Sequence, residues 1–314
     1  MENNFTDRII ERCKTTGSHV AVELAPSIEN IPEFITQRFE SVGAVLYAYC
    51  KGIIDGIADF VPGIILPIYM YEVYGIGGMV AMDAVAKYAA SKGLVVIADG
   101  GFGGSKEAVM GYVKAYLGGA SENIDGEKQT RQAGEGCFFA DAVTLSPYSD
   151  AEGIKEAAAF CMEHGKGIFV NVRTTDSNEK VHFENIKTAE NDEPLYKSAA
   201  DDSGAFGRNF IGKNGYGVIG MSLFAQDDAY EIRKINKWGI ALVKAQNVND
   251  FSDERLYRYF YEDDGQGALL VVRGAVCDAW KKDSSEFGAE EYGEAARVAA
   301  QEITKKSEAM IAAL

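Results

Sequence analysis

The sequence predicts an α/β protein that folds as a single (β/α)8 barrel, the TIM-barrel fold, with a doubly wound open sheet as the alternative. Eight short and nearly continuous apolar runs recur along the 314 residues, as expected for parallel strands buried on both faces. Between them lie segments with apolar residues at three- and four-residue spacing, which is typical of helices packed on such a sheet. Eight strand–helix units are the number that closes a barrel.

The predicted elements follow one another along the whole chain. Helical segments such as 79–93 and 153–167 end at a glycine, the usual helix stop. No linker rich in Pro, Gly or Ser divides the chain, so we expect one domain over residues 1–314, with loop extensions at 119–136 and 176–216. The predicted strands are residues 19–25, 61–67, 94–100, 142–147, 167–172, 217–223, 239–245 and 267–273.

Composition narrows the functional classes. The chain has 31 Lys and Arg against 47 Asp and Glu, a net charge of −16, which opposes a general role on nucleic acids or anionic membrane surfaces but permits a local phosphate pocket. No apolar run reaches the roughly 18 residues of a membrane span. The five cysteines are scattered without a CxxC pair, and the three histidines lack paired spacing. We therefore expect a cytoplasmic protein with free thiols, no metal and no cofactor.

Several motifs, in their order along the chain, resemble the longer bacterial branch of the orotidine 5′-phosphate decarboxylases. The resemblance covers nearly the whole length and implies a (β/α)8 barrel, typically dimeric, of a carboxy-lyase family that converts orotidine 5′-phosphate to UMP. The motifs are CKGIID, YEVYG, LVVIAD, AYLG, AVTLSPY, GKGIFVNVRTT and DGQGALLVVRG, followed by a closing Ala-rich helix.

The resemblance also implies an array of lysines and aspartates at the strand ends. Family members carry an Asp after the first strand in Leu-Asp-Pro, a Lys after the second in Val-Lys-Pro-Gln, and Asp-x-Lys-x-x-Asp after the third. The third-strand Lys delivers a proton to the C6 carbanion as carbon dioxide leaves, and the last Asp reaches into the partner subunit's site. Alternating charges stabilise the charge that develops during the reaction.

This sequence departs from that array at almost every position. Glycine and aliphatic side chains neither donate a proton nor balance a carboxylate, so decarboxylation by the family mechanism is not expected. Of the five charged positions only Asp99 is retained, and the others are Ala25, Ile65 (or Leu66), Gly101 and Gly104.

Two nearby residues are candidate substitutes for the missing groups. Lys106 lies five positions after Gly101 at the predicted start of a helix, where it either swings inward or stays solvated beside Glu107. Glu23 precedes Ala25 by two positions, so strand alternation places both on the same face. It is either a satisfied interior carboxylate or a catalytic one.

Ligand-binding positions are better preserved than catalytic ones. By resemblance, Arg273 lies where the family binds the 5′-phosphate, and a guanidinium suits phosphate because it offers paired donors. Gln246 matches a glutamine that spans phosphate and base, Thr174 and Thr175 match a Thr-Ser pair near the pyrimidine, and Ser146 begins Ser-Pro-Tyr where the family reads Asn-Pro-Tyr. The residues alone leave open a surface ion pair for Arg273 and a turn cap for the threonines.

The sequence thus predicts a catalytically degenerate paralogue that binds a pyrimidine nucleotide or another phosphorylated ligand. It forms a homodimer, or pairs with a true decarboxylase subunit as a heterodimer, and binds neither nucleic acid nor membrane. One alternative is a lyase or isomerase of another phosphorylated small molecule, with Asp99, Glu23 and Lys106 as acid/base candidates. The other is an active orotidine 5′-phosphate decarboxylase in which Lys106 or a partner chain replaces the missing groups.

Overall fold

Eight parallel strands close into a barrel in the computed structural model, which describes residues 4–124, 127–132, 138–173, 185–189, 192–224, 229–244, 261–262 and 265–312. Each strand pairs with its neighbour in sequence, and the last pairs with the first, with Val20 opposite Leu270. This closure confirms the predicted (β/α)8 barrel and excludes the open sheet. The strands are β1 (Val20–Glu23), β2 (Gly63–Pro67), β3 (Val95–Phe102), β4 (Ala142–Leu145), β5 (Gly167–Arg173), β6 (Ile219–Phe224), β7 (Ala241–Lys244) and β8 (Ala268–Val272).

Helices lie outside the strands, and their ends follow local capping rules. Side chains of Asn4, Ser105 and Asp150 accept the backbone N–H three residues on, while Gly17 and Gly165 end their helices in the left-handed conformation. None of the described helices has both the length and the apolar character needed to cross a membrane. The principal helices are α1 (Phe5–Thr16), α2 (Val42–Ile57), α3 (Gly75–Ser91), α4 (Lys106–Leu117), α5 (Ala151–His164), α6 (Leu195–Gly207), α7 (Ala229–Ile235) and α8 (Tyr292–Ala312). Short helical turns occupy Glu33–Thr36, Tyr69–Glu72 and Gly274–Cys277.

The barrel interior is filled with side chains, and α1 closes its amino-terminal end. Phe169 of β5 is fully buried inside the barrel and meets the ring of Phe5 edge-on, with 5.8 Å between centroids. A Cβ at Gly167 would come within 2.2 Å of Phe5, and one at Gly220 within 2.4 Å of Phe169, so glycine is required at both positions. Because this end is packed shut, a ligand must approach from the carboxyl ends of the strands.

Two ranges expected to be loop extensions contain regular structure. Within 119–136, Gly118–Ile124 and Glu127–Gln132 form an antiparallel hairpin, which the chain enters through positive φ angles at Gly118 and Gly119. Within 176–216, helix α6 occupies residues 195–207. The hairpin strands are polar and lack the alternating apolar pattern, which is why the sequence did not reveal them.

Candidate functional site

A polar level of side chains lies at the carboxyl end of the barrel, directly above the apolar interior. Ala21, Ile97 and Leu242 pack inside the barrel, and strand alternation turns the residues two positions further along to the same side. The side chains at this polar level are Glu23 of β1, Asp99 of β3, Thr144 of β4, Asn171 of β5, Ser222 of β6 and Lys244 of β7.

Asp99 and Lys244 form an ion pair across this end of the barrel. Lys244 Nζ lies 2.8 Å from Asp99 Oδ2, and the Thr144 hydroxyl donates to Asp99 Oδ1 at 2.7 Å. The Lys244 side chain is 21% exposed and the Asp99 side chain is 13% exposed, so both are shielded from solvent but still reachable from it. β3 and β7 stand four strands apart in the eight-stranded barrel, so the lysine side chain spans its mouth.

Glu23 and Arg273 extend this pair into a larger charged group. Arg273 Nη1 lies 3.6 Å from Glu23 Oε1, and Arg273 Nη2 donates to the Ala25 carbonyl oxygen at 3.5 Å. Burial raises the pKa of the Glu23 carboxyl. The positive charges of Lys244 and Arg273 lower this pKa, and the negative charge of Asp99 raises it, but the effect of burial is the largest. We call Asp99, Lys244, Glu23 and Arg273 the charged array, in which carboxylates and cations alternate.

The structure shows why positions that the motif resemblance matched to charged family residues are occupied by uncharged ones. Gly101 has φ +59° and its N–H donates to the Thr144 hydroxyl at 2.8 Å, while a Cβ there would lie 3.0 Å from Asn171 Nδ2. Gly104 also has a positive φ, of +128°. Ile65 packs inside the barrel and Leu66 packs on its outer side, both buried. None of these positions supplies a charge to the mouth.

The structure treats the predicted site residues differently. Asp99, Glu23 and Arg273 come together, whereas Lys106 pairs with Glu156 of α5 at 2.5 Å, with both side chains nearly half exposed. The structure therefore does not bring Lys106 to the charged array. Thr174, Thr175 and Gln246 lie outside the described residues.

Ser146 lies just past the end of β4, where it joins the end of β3 to the turn that follows. Its N–H donates to the Phe102 carbonyl at 2.7 Å, and its hydroxyl accepts the Tyr148 N–H at 3.2 Å. The hydroxyl therefore shapes the turn that carries Tyr148.

Lys244 is the member of the charged array that the sequence reasoning missed. The sequence feature that could have revealed it is a lysine at the last position of an otherwise apolar strand, ALVK. In a barrel such a position faces the site end. Over the part of the chain that the structure describes, no cluster of three His, Cys, Asp or Glu side chains is arranged to hold a metal ion.

The charged array can act chemically in two ways. Its cations, Lys244 and Arg273, can hold anionic groups of a ligand, and its carboxylates can accept protons. The low exposure of Asp99 and Lys244 strengthens these interactions relative to water. The arrangement therefore fits a small, negatively charged ligand.

Comparison with known proteins identifies the family. No family model matches the chain. The chain is 30% identical over 288 residues to orotidine 5′-phosphate decarboxylase of Caldicellulosiruptor saccharolyticus, covering 88% of this chain and 90% of the relative. It is 27% identical over 296 residues to the same enzyme of Clostridium acetobutylicum, covering 94% and 95%. The solved structure of Leishmania donovani OMP decarboxylase has the same fold, with a TM-score of 0.69 and 19% identity over 99% of this chain and 100% of that one. Similarity of this extent along nearly the full length of its relatives places the chain in the orotidine 5′-phosphate decarboxylase family.

Proposed function

We propose that this family member binds a pyrimidine nucleoside monophosphate, or a closely related phosphorylated compound, without decarboxylating orotidine 5′-phosphate by the family's route. The observation that carries the proposal is Gly101. It occupies the position of the family's proton-donating lysine, and its left-handed backbone and the adjacent Asn171 oppose any larger side chain.

The loss of the proton donor argues against family turnover. A glycine at this position supplies neither the proton for the carbanion nor the positive charge that stabilises it. Gly104 likewise has no carboxylate to offer a neighbouring subunit. Removing groups that act together abolishes most of a large rate enhancement.

Arg273 supports retention of ligand binding. It follows β8 at the barrel mouth, its side chain is 42% exposed, and its contacts to Glu23 and Ala25 are long, at 3.6 and 3.5 Å. A guanidinium has five N–H donors, so most of its bonding capacity remains for a phosphate. The chain has a net charge of −16, so a cation placed at the mouth of the barrel is a local exception to the acidic character of the whole.

Thermal-shift titration with UMP and orotidine 5′-monophosphate, run beside a decarboxylation assay, tests the proposal. We expect stabilisation of about 2.7 kcal/mol at 100 times the Kd, and no turnover above the buffer rate. Arg273→Ala is expected to weaken binding by about 1.5–3 kcal/mol, because a charge-assisted hydrogen bond to phosphate is lost.

Arg297→Ala is the matched control, because Arg297 pairs with Glu294 on its own helix. It should leave the nucleotide shift unchanged. Turnover of orotidine 5′-monophosphate would contradict the proposed loss of activity. The absence of a shift with either nucleotide would contradict nucleotide binding.

We also propose that a second copy of this chain covers an exposed apolar strip beside the site. Tyr69 and Val73 lie on and just after the short helix Tyr69–Glu72, Ile76 and Val80 lie in the first turns of α3, and the four residues are 60%, 72%, 85% and 64% exposed. Over residues 69–80 the sequence carries a single charge, Glu72. Since the chain is strongly acidic elsewhere, this strip is a place where two copies can meet without repulsion.

Ile76→Glu is expected to convert a dimer into a monomer, because it buries a carboxylate at the centre of the strip. Sedimentation equilibrium should give twice 34.0 kDa for the unmodified chain and 34.0 kDa for the variant. Ile186→Glu, at an exposed isoleucine outside the strip, is the control and should remain dimeric. A mass of 34.0 kDa for the unmodified chain, or a mixed species formed only with an intact decarboxylase, would contradict self-association.

A further inference from the structure

We infer that the charged array is a proton-transfer site for a phosphorylated carbonyl compound, with Glu23 as the base and Lys244 as the group that stabilises the carbonyl oxygen. The inference rests on the proposed function only in requiring that a phosphorylated ligand enter at this end of the barrel. It assigns Lys244 a chemical role from β7, a strand that contributes no charge to the family's lysine and aspartate array.

Lys244 is held in place and still has donors to spare. Asp99 fixes its ammonium at 2.8 Å, and Asp99 is itself fixed by the Thr144 hydroxyl at 2.7 Å. An ammonium has three N–H donors, so the contact to Asp99 leaves others for a ligand oxygen. Because the side chain is 21% exposed, a ligand can reach it.

Glu23 has the properties of a base. Its side chain is 14% exposed, and its approach to Arg273 at 3.6 Å is longer than a hydrogen bond. Burial raises its pKa, so the carboxylate is a stronger base than an exposed one. Lys244 acts electrostatically on Glu23, which places base and cation at the same mouth.

Ligand binding is expected to strengthen this base. A ligand phosphate that engages Arg273 draws the guanidinium away from Glu23. Arg273 holds the pKa of Glu23 lower than burial alone would. Its departure therefore raises that pKa further, at the moment when the ligand is in place.

The proposed step balances without any additional reactant. The Glu23 carboxylate takes a proton from the carbon beside the carbonyl. The C–H electron pair forms a double bond to the carbonyl carbon, and the former C=O π pair moves to the oxygen, which Lys244 stabilises by a hydrogen bond. If the Glu23 carboxyl exchanges its proton with water before returning it to the same carbon, that carbon gains a solvent hydrogen. For an isomer to form, the hydroxyl on the carbon that lost its proton passes its own proton to the former carbonyl oxygen and becomes the new carbonyl, while Glu23 returns its proton to the former carbonyl carbon. One carbon is oxidised and its neighbour is reduced, so the substrate needs no external oxidant or reductant.

Structural stabilisation alone explains this array poorly. Removing two carboxylates from water is costly, and buried ion pairs are often no more stabilising than apolar side chains of similar volume. The raised pKa of Glu23 means that its ionised form is disfavoured in the folded protein. Charged groups in such surroundings at the site end of a barrel indicate chemistry.

Exchange of carbon-bound hydrogen tests the inference. Dihydroxyacetone phosphate and ribulose 5-phosphate are incubated with the protein in D2O, and the carbon-bound proton signals are followed by ¹H NMR. We expect protein-dependent exchange whose rate rises with pH through a pKa above the usual carboxyl range, because Glu23 must lose its proton to act as base. Glu23→Gln and Lys244→Met should each slow it by at least about 100-fold.

Two further variants make the result decisive. Lys244→Arg retains a cation beside Asp99 but not the compact ammonium, so it should fold and still exchange slowly. Lys106→Met, at the lysine paired with Glu156 outside the site, should exchange like the unmodified chain. All variants are purified identically, so an isomerase contaminant would give equal rates in all of them.

The outcomes separate this inference from the proposed function. No exchange with either probe, while UMP still gives a thermal shift, would overturn the inference and leave nucleotide binding standing. Equal exchange by Glu23→Gln and the unmodified chain would also overturn it. Loss of exchange in Glu23→Gln and Lys244→Arg, with unfolding temperatures close to that of the unmodified chain, would support it.

Discussion

Replacing Phe169 by alanine is expected to lower the free energy of unfolding by about 3–5 kcal/mol, the largest stability effect that we foresee for a single substitution. The ring is fully buried inside the barrel and packs edge-on against Phe5 of α1. The surrounding strands are tied into a closed hydrogen-bonded ladder, so they cannot collapse into the cavity that is left. Urea denaturation followed by circular dichroism measures the loss.

Phe34→Ala is the control for this substitution. Phe34 lies on the short helix Glu33–Thr36 and is 37% exposed, so its removal opens no closed cavity. We expect a cost of no more than about 1 kcal/mol. Equal costs for both variants would contradict the description of a packed barrel interior closed at its amino-terminal end.

The fold was predictable because parallel barrel strands are buried on both faces. Such strands appear in the sequence as apolar runs, and each of the eight predicted runs overlaps an observed strand. The end of β3 was less predictable. It continues through Gly100 and Gly101 to Phe102, whose carbonyl accepts the Ser146 N–H. Glycines normally end a strand, and here a contact from a distant part of the chain extends it.

The candidate site was only partly predictable. Asp99 and Arg273 stand at motif positions, and strand alternation turned Glu23 inward, so a linear sequence was enough to find them. Lys244 contacts Asp99 from 145 positions away, and only closure of the barrel brings the two together. Lys106 was a candidate because it is close in sequence to Gly101, but the start of α4 turns it towards α5.

These observations bear on how a barrel site changes. Every strand of the barrel ends at the same mouth, so a charge lost from one strand can be supplied by another. If the motif resemblance is right, Gly101 stands where β3 of the family carries a lysine, and here Lys244 reaches the Asp99 carboxylate of β3 from the opposite strand. Alternation of charge is thus kept with a different set of residues, and a change of chemistry is the expected consequence.

Breaking the Asp99–Lys244 pair from one side is expected to cost more than removing both charges. Lys244→Met leaves the Asp99 carboxylate, which is 13% exposed, with the Thr144 hydroxyl as its one side-chain partner among the described residues. We expect a loss of about 2–3 kcal/mol in unfolding free energy. Asp99→Asn leaves the ammonium of Lys244 without its counter-ion and should cost a similar amount. The double variant should be more stable than either single variant, because no uncompensated charge remains.

A double-mutant cycle in urea separates this coupling from the loss of packing. Glu152 and Lys155, an exposed pair on α5, provide the control cycle, in which solvent screening should leave the single changes small and nearly additive. Strictly additive losses at Asp99 and Lys244 would mean that the two side chains do not interact in solution. Strong coupling there, with little coupling in the control cycle, would establish that a shielded ion pair spans the mouth of the barrel.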